Sequence, residues 1–448
     1  MIPGEFNVQI QSFLTAYDPS DLPGGSVDPL GFDRGYQWLA DKILPGLTNV
    51  ADQPRYFSAL CAGLRLADAA SGSAAVSPRE RVRQRREVVA RMERFWVLAS
   101  LRASEGALTS AGIRGIRYVR AADERIRERG DRQTDASYRL LSRQTTYGML
   151  GIYTNVASRL RLLDDDTLSL SADLGVRLGD AFLEETDLPA TLRQAIIQGG
   201  TVNLDALTAW GARAHLSAPP RAAERRAIGE ALTVQDTRRR MVDLLAQHPH
   251  LGDEGEQARL QRIHEALVDS GEHADLREAL RSIVAYENAF RESLLVFQRV
   301  LWPCQAGPDF FLPLNSVVSD KSLATAHKRL TAASTALDEA LDAARTPAFL
   351  TGRDRITDVQ QFLRTLRHAD SADALACCVV RRHGDVQRAK VVAGRPKMPW
   401  IELREDRIVP TLAAAQRIDR PPALAHDLPS HPYRSWAADR LAHAGGLS

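Results

Sequence analysis

Apolar side chains recur at every third or fourth position through most of the chain, which is the spacing that places them on one face of an α-helix. Between residues 187 and 345 the pattern is nearly continuous, with breaks at Gly199-Gly200, Pro219-Pro220, His248–Gly252 and Pro303. The intervals between breaks are unequal, which argues against a repeat of fixed length. We therefore expect a helical bundle or an irregular helical array here, with helices over 189–198, 222–247, 257–269, 275–302 and 320–345.

The N-terminal part predicts four further helices, near 33–44, 53–70, 77–103 and 115–128. The third begins at Ser77-Pro78-Arg79-Glu80, which combines a cap, a proline in the first turn and an acidic residue. Ahead of these helices, residues 17–31 contain three prolines and three glycines, a composition that excludes regular structure. The apolar and aromatic residues around that stretch favour an ordered loop.

Residues 131–186 follow the order of a winged-helix module. The predicted elements are a polar helix at 136–143, a helix at 147–161, an acidic turn at 164–166, a short strand at 167–171 and a helix at 173–185. In such a module one helix enters the major groove, and asparagine and arginine suit base edges and phosphates. The helix at 147–161 offers Asn155, Arg159 and Arg161 for this role. Winged helices also dock proteins, and the acidic turn favours that alternative.

The last hundred residues change character. Helices are expected at 356–369 and 372–382, and then short apolar runs at 391–392, 400–403 and 408–409 predict a small β-hairpin or three-stranded patch. A proline-rich linker at 420–432 leads to a terminal helix near 433–443. The predicted fold class is mainly α, a multi-helical array with a winged-helix-like segment and a small C-terminal β-hairpin patch. The predicted domains are 1–130, 131–186, 187–350 and 351–448.

The charge of the chain is nearly balanced, with 58 basic and 56 acidic residues. Binding to nucleic acid must therefore depend on local patches. One such patch lies in the C-terminal segment, where a basic ribbon next to an aromatic residue is able to neutralise phosphates and stack a base. Its residues are Arg388, Lys390, Arg395, Lys397 and Trp400. The alternative is a solvated hairpin with a buried tryptophan. Helix 79–94 is also basic, but its acids are spaced to pair with arginines three or four positions away.

No motif for catalysis is present. The chain lacks the nucleophile elbow, the P-loop, the zinc-protease motif and the dinucleotide fingerprint. His248-Pro-His250 has no acidic or thiol ligand beside it, which favours a polar turn over a metal site. The carboxylates at 164–166 and 402–406 lack the lysine spacing of a Mg²⁺-dependent nuclease. We therefore assign no catalytic residue, metal ligand or cofactor, and the sequence favours a protein that is not an enzyme.

The four cysteines form no CxxC pair, which is typical of buried thiols in a reducing compartment. They are Cys61, Cys304, Cys377 and Cys378. The N-terminus lacks the plan of a signal peptide, and no apolar run approaches the roughly 18–20 residues that span a bilayer. These patterns predict a cytoplasmic protein with no membrane partner.

The stretch from Tyr17-Asp-Pro-Ser-Asp-Leu-Pro-Gly-Gly25 to Leu44-Pro-Gly-Leu-Thr48 resembles the start of uncharacterised bacterial proteins encoded near phage-defence and mobile-element genes. The resemblance covers residues 17–48, which are 32 of the 448 residues of the chain. It implies a component of a multi-gene antiviral defence or DNA-processing system, with other proteins of the same operon as partners.

From the resemblance and the basic patches together, we expect a non-enzymatic component that binds DNA or RNA or acts as an adaptor. Two alternatives stay open. One is a divergent metal-dependent nuclease subunit whose carboxylates are distant in the sequence, and the other is a helical scaffold for protein assembly.

Overall fold

The computed structural model describes residues 28–70, 77–103, 113–164, 167–306, 312–313, 321–392, 394–405, 407–411 and 421–447. Helix accounts for 68% of the structure, which confirms the predicted mainly α class. Residues 17–27, which belong to both the predicted loop at 17–31 and the resemblance at 17–48, lie outside the described residues.

The four helices predicted in the N-terminal part are present. They are α1 (Asp33–Ile43), α2 (Pro54–Ala70), α3 (Pro78–Ala103) and α4 (Ile116–Glu128). At the start of α3 the hydroxyl of Ser77 accepts a hydrogen bond from the backbone N–H of Glu80 at 3.3 Å, and Pro78 occupies the first turn. This cap is the one that the sequence predicts, because a side-chain oxygen at this position satisfies an otherwise unpaired N–H.

The helices continue through the rest of the chain. They are α5 (Gln144–Tyr147), α6 (Met149–Arg159), α7 (Leu174–Glu185), α8 (Ala190–Gln198), α9 (Leu204–Ala214), α10 (Ala222–Thr233), α11 (Asp236–Gln247), α12 (Glu256–Ser270), α13 (Ala274–Ala306), α14 (Lys321–Ala343), α15 (Pro347–Leu350), α16 (Asp354–Arg367), α17 (Ala372–Ala389) and α18 (Ser435–Gly445). Helix α9 was not predicted from the sequence. A turn of 3₁₀-helix at Ala425–Asp427 lies in the predicted proline-rich linker.

Several predicted helix boundaries were wrong, and the helix expected at 372–382 continues as α17 to Ala389. The prediction of one helix over 222–247 fails because the side chain of Gln235 accepts the N–H of Arg238 at 2.7 Å and begins a new helix there. The predicted break at Pro303 also fails, since α13 continues through it to Ala306. A proline removes one hydrogen bond and strains one turn, and this proline lies only three residues before Ala306, where the helix ends.

The predicted polar helix at 136–143 is absent. Residues 135–143 are irregular, and Ala136 has a φ of 53°. The carboxylate of Asp135 accepts the N–H of Ser137 at 2.9 Å, and the hydroxyl of Thr134 accepts the N–H of Ala136 at 3.3 Å. Short polar side chains compete for backbone donors in this way and favour turns over helix.

Strands are short and form three small antiparallel sheets among the described residues. The strands are β1 (Gln133–Thr134), β2 (Val202–Asn203), β3 (Leu312–Pro313), β4 (Val391–Val392), β5 (Arg395–Pro396), β6 (Ile401–Arg404) and β7 (Arg407–Pro410). β1 pairs with β2, β4 with β5, and β3, β7 and β6 form a three-stranded sheet in that order. The predicted C-terminal strands are therefore confirmed.

The strand predicted at 167–171 is reduced to an isolated antiparallel bridge between Leu163 and Leu170. Helix α6, this bridge and α7 follow one another in the order expected over 147–185. Their assignment to a winged-helix module stays a prediction.

The chain separates into two compact units. The first combines Met1–Gly35, Asn288–Ala336 and Ile356–Pro429. In its interior the ring of Phe32 lies 5.3 Å from that of Phe290 and 6.4 Å from that of Phe362, and α17 packs against β6.

The second unit combines Tyr36–Glu287, Leu337–Arg355 and Ser430–Ser448. Helix α2 packs against α3 and α7, and α3 packs against α9. The ring of Tyr56 lies 4.8 Å from that of Trp96 and 4.7 Å from that of Tyr153. This aromatic cluster fixes α2, α3 and α6 relative to one another.

Candidate nucleic-acid interface

Helix α4, in the second unit, presents an arginine-rich face that the sequence analysis missed. Its apolar residues are buried on one side, which leaves the polar positions of the helix facing solvent. The exposed arginines of this helix are Arg117, Arg120, Arg125 and Arg127. Such a face follows from helical periodicity, because residues three and four apart lie on the same side.

A buried ion pair holds α4 against α3. The carboxylate of Asp123 accepts Nε of Arg102 at 2.6 Å and contacts the guanidinium of Arg127 at 2.8 Å. Asp123 is 4% exposed. Its negative charge is therefore balanced by Arg102 and contributes little to the electrostatic potential at the protein surface. The acidic residues of α4 that face solvent are Glu124 and Glu128.

The segment after α4 continues the arginine-rich surface with Arg132, Arg139 and Arg143, which are all exposed. The hydroxyl of Tyr138 donates a hydrogen bond to the carbonyl of Arg94 on α3 at 2.5 Å. At the N-terminus of α4 the backbone of Gly115 has a φ of 74°, and a side chain there would lie 2.2 Å from the carbonyl oxygen of Leu140. The segment is therefore held closely against α3 and α4.

The start of α6 is fixed by a carboxylate from α3. Glu93 is 1% exposed, and it accepts the amide of Gln144 at 2.8 Å and the backbone N–H of Met149 at 2.6 Å. Burial raises the pKa of Glu93 to about 7, and the two hydrogen bonds oppose that rise. A carboxylate at this position also interacts favourably with the positive end of the α6 dipole, which lies at the N-terminus of the helix.

The helix predicted at 147–161 is shorter in the structure, so Asn155 and Arg159 lie on the exposed side of α6, whereas Arg161 follows the end of the helix with a φ of 57°. Met149, Tyr153, Val156 and Ala157 are buried, whereas Asn155, Arg159 and Arg161 are exposed. The side chains of these three make no hydrogen bond or ion pair within the described part of the chain.

We call the exposed residues of α4, of the segment 129–147 and of the stretch 149–161 the arginine surface. Residues 114–161 hold eleven arginines, five acidic residues and no lysine. Their net charge is +6, whereas the whole chain carries +2. Seven of these arginines are exposed and form no ion pair with another described residue. They are Arg117, Arg125, Arg132, Arg139, Arg143, Arg159 and Arg161.

The C-terminal basic patch lies in the first unit, and part of its charge is engaged inside the protein. Arg388 at the end of α17 forms an ion pair with Glu402 at 3.2 Å. The ammonium group of Lys390 donates a hydrogen bond to the carbonyl of Asp28 at 2.6 Å, and burial lowers the pKa of Lys390. Arg395 is exposed on β5, and Lys397 is half-buried.

Trp400 is half-buried against interior rings. Its ring centroid lies 5.3 Å from that of His383 and 6.0 Å from that of Phe297. The backbone N–H of Trp400 donates to Nε2 of His383 at 2.8 Å, so Nδ1 of that histidine carries the proton and donates to the carbonyl of Pro29 at 3.0 Å. Burial lowers the pKa of His383 to about 4. These contacts support the packing alternative for Trp400.

The remaining candidates give no metal site among the described residues, where no three His, Cys, Asp or Glu side chains are arranged to hold an ion. His250 lies 3.5 Å from Glu256, and Glu402 is paired with Arg388 and Arg404. In the acidic turn at 164–166, Asp165 and Asp166 lie outside the described residues. All four cysteines are free thiols.

Comparison with known proteins gave no match to a family model, to a curated protein or to a solved structure. Within the described ranges, no helix has both the length and the apolar composition needed to cross a membrane.

Proposed function

We propose that this chain binds nucleic acid and that the arginine surface of the second unit is the contact. The observation that carries the proposal is the set of seven arginines without an ion pair in a stretch with a net charge of +6. Binding is the role we assign, with no chemical step.

Arginine suits this role for physical reasons. Its planar guanidinium donates two parallel hydrogen bonds to a phosphate and stays charged at any physiological pH. An arginine that already pairs with a carboxylate must break that contact before it binds a phosphate. Seven arginines of this surface, namely Arg117, Arg125, Arg132, Arg139, Arg143, Arg159 and Arg161, form no ion pair with a described residue, and neutralising phosphates releases counterions from the nucleic acid.

The residues predicted over 147–161 supply further groups for this contact. Arg159 and Arg161 add two guanidinium groups, and Asn155 adds an amide that is able to donate and accept at a base edge. In the first unit, Arg395 and Lys397 are the members of the C-terminal patch that we retain as additional contacts. Arg388 and Lys390 contribute less, because the protein already engages them.

A titration of labelled oligonucleotides with purified protein tests the proposal. The test variant is Arg117→Gln with Arg132→Gln and Arg143→Gln, and the matched control is Arg193→Gln with Arg226→Gln and Arg281→Gln. All six arginines are exposed in the second unit and form no ion pair with a described residue, so both variants lose the same charge.

The test variant should bind roughly tenfold more weakly or worse, since one hydrogen bond to a charged group contributes about 1.5–3 kcal/mol. The control should bind within about twofold of the wild type. Equal losses in both variants would mean that the total charge of the chain matters and the arginine surface does not.

A second candidate function, protein docking, is favoured by Trp436 on α18. Its side chain is 54% exposed, and the guanidinium of Arg440 lies 5.2 Å from its ring centroid. Tryptophan and arginine are, with tyrosine, the residues enriched at the energetic centres of protein interfaces. This observation supports an adaptor role in a multi-protein system of the defence type that the resemblance implies.

The docking candidate is tested by light scattering of the purified chain mixed with the product of each neighbouring gene. A complex that Trp436→Ala abolishes and the triple arginine variant preserves would support it. A complex that survives Trp436→Ala, or the absence of any complex, would show that Trp436 does not dock a partner protein.

A further inference from the structure

Two exposed aromatic side chains lie within the arginine surface. Tyr118 on α4 is 43% exposed, and Tyr147 at the end of α5 is 50% exposed. Elsewhere in the described residues, the one other aromatic side chain with comparable exposure is Trp436. An exposed ring keeps apolar area in water that burial would have removed, so the location of these two rings within the basic stretch calls for a reason.

The neighbouring tyrosines behave differently. Tyr56 and Tyr153 are buried in the aromatic cluster, and the hydroxyl of Tyr138 donates to the carbonyl of Arg94. Each of these three has a ring or hydroxyl contact in the interior that explains its presence. Tyr118 and Tyr147 lack that explanation, because their rings face solvent.

An arginine accompanies one of the two rings. The guanidinium of Arg139 lies 6.0 Å from the ring centroid of Tyr118, at the outer limit of a cation–π contact. Arg139 forms no ion pair with any described residue. The same small region therefore offers a flat ring and a cation, while Tyr147 stands eight residues further along the segment that carries Arg143.

We propose that the arginine surface takes single-stranded nucleic acid, with bases stacked on Tyr118 and Tyr147 and phosphates held by the neighbouring arginines. This inference rests on the proposed function and names its substrate class. Base–aromatic stacking is tolerant of sequence and combines with a basic groove in proteins that bind single strands. In a duplex the bases are stacked on each other, and reaching one requires unstacking the helix.

The experiment measures fluorescence anisotropy with three probes at one salt concentration. They are an oligothymidylate of about 20 nucleotides, an oligouridylate of the same length and a duplex of the same length, which exceed the usual single-strand site size of about 4–16 nucleotides. The variants are Tyr118→Ala with Tyr147→Ala, the conservative pair Tyr118→Phe with Tyr147→Phe, and Trp436→Ala as an exposed aromatic outside the surface.

The alanine pair should weaken binding to at least one single-stranded probe by roughly fivefold to 150-fold for each base that loses its stacking partner. The phenylalanine pair should bind within about twofold of the wild type, because it keeps both rings, and Trp436→Ala should have no effect. Duplex affinity should change by less than about twofold in every variant. A preference between the two single strands would identify DNA or RNA as the ligand.

Failure of this inference is distinguishable from failure of the proposed function. If the wild type binds none of the three probes, the proposed function is wrong. If it binds and the alanine pair binds every probe as tightly, the rings do not stack bases and the arginines act alone. If the alanine pair loses duplex and single-strand binding in equal measure, the loss reflects the fold, which a lowered melting temperature would confirm, and the inference is overturned.

Discussion

Oε1 of Glu93 on α3 accepts the backbone N–H of Met149, the first residue of α6, at 2.6 Å. One carboxylate thereby links the helix that carries Asn155 and Arg159 to the helix that also supports α4. Its burial raises its pKa to about 7, so this link depends on pH.

The first prediction concerns that pH dependence. The folded-state pKa of Glu93 lies above its ordinary value of 4.5, so the folded state holds a proton that the unfolded state releases. Stability should therefore fall as the pH rises from about 4.5 through 7, by up to about 3 kcal/mol from this group. Glu93→Gln should remove that part of the slope in thermal unfolding. The exposed Glu184→Gln is the control, and equal slopes in both variants would contradict the assignment.

The second prediction concerns His383, whose contribution to stability changes with pH in the opposite direction. Burial lowers the pKa of His383 to about 4 from 6.5, so the unfolded state binds the proton more tightly. The contribution is complete above pH 6.5 and is lost as the pH falls from 6.5 to 4. His383→Gln should make unfolding of the first unit less sensitive to acid in this range. The exposed His443→Gln is the control and should leave the acid sensitivity unchanged. An acid sensitivity that His383→Gln leaves at the wild-type value would contradict burial of His383 in its neutral form.

The third prediction separates the two interpretations of Trp400. Because its ring packs against Phe297 and His383, Trp400→Ala should lower the free energy of unfolding by about 2 kcal/mol, part of the cost of removing a fully buried tryptophan. Trp400→Phe should lose less. Nucleic-acid affinity, measured well below the melting temperature, should be unchanged. Loss of single-strand binding at an unchanged melting temperature would instead support the base-stacking role that the sequence suggested.

The fourth prediction concerns the ion pair under α4. Asp123→Ala leaves Arg102, whose side chain is 14% exposed, without its carboxylate, and removing one partner of a buried pair costs about 3 kcal/mol or more. The double variant Asp123→Leu with Arg102→Met should recover most of that stability. Thermal unfolding of the three proteins gives the comparison. A single variant as stable as the wild type would show that the pair does not hold α4 in place.

The helices were largely predictable because their ends are marked locally. Ser77 and Pro78 mark the start of α3, and the glycine and proline pairs separate the later helices. Residues 136–143 were mistaken for a helix since the competition from Thr134 and Asp135 for backbone N–H groups depends on geometry that composition does not reveal. Pro303 was wrongly predicted to end the helix. Its position near the end of α13 lowers the energetic cost of a proline there, and the sequence did not reveal that position.

The candidate site was only partly predictable. Asn155 and Arg159 were found because they lie on the polar side of a recognisable helix, and Arg161 follows the end of that helix. The arginines of α4 were missed, although a count over 114–161 would have signalled an excess of arginine without lysine. That count alone does not show that Asp123 is buried against Arg102, which leaves the outer arginines less compensated. For Trp400, the covering ring of Phe297 is about a hundred residues away in sequence.

The central claim is that the arginine surface neutralises phosphates, and the salt dependence of binding tests it most directly. The logarithm of the association constant falls linearly with the logarithm of salt concentration, with a slope of about 0.9 for each phosphate neutralised on duplex DNA and about 0.7 on single strands. For Arg117→Gln with Arg132→Gln and Arg143→Gln, we predict a slope shallower than that of the wild type by up to about 2.7 on a duplex or 2.1 on a single strand. The control Arg193→Gln with Arg226→Gln and Arg281→Gln should keep the wild-type slope. A test variant with the wild-type affinity and the wild-type slope would show that these arginines form only a solvated face.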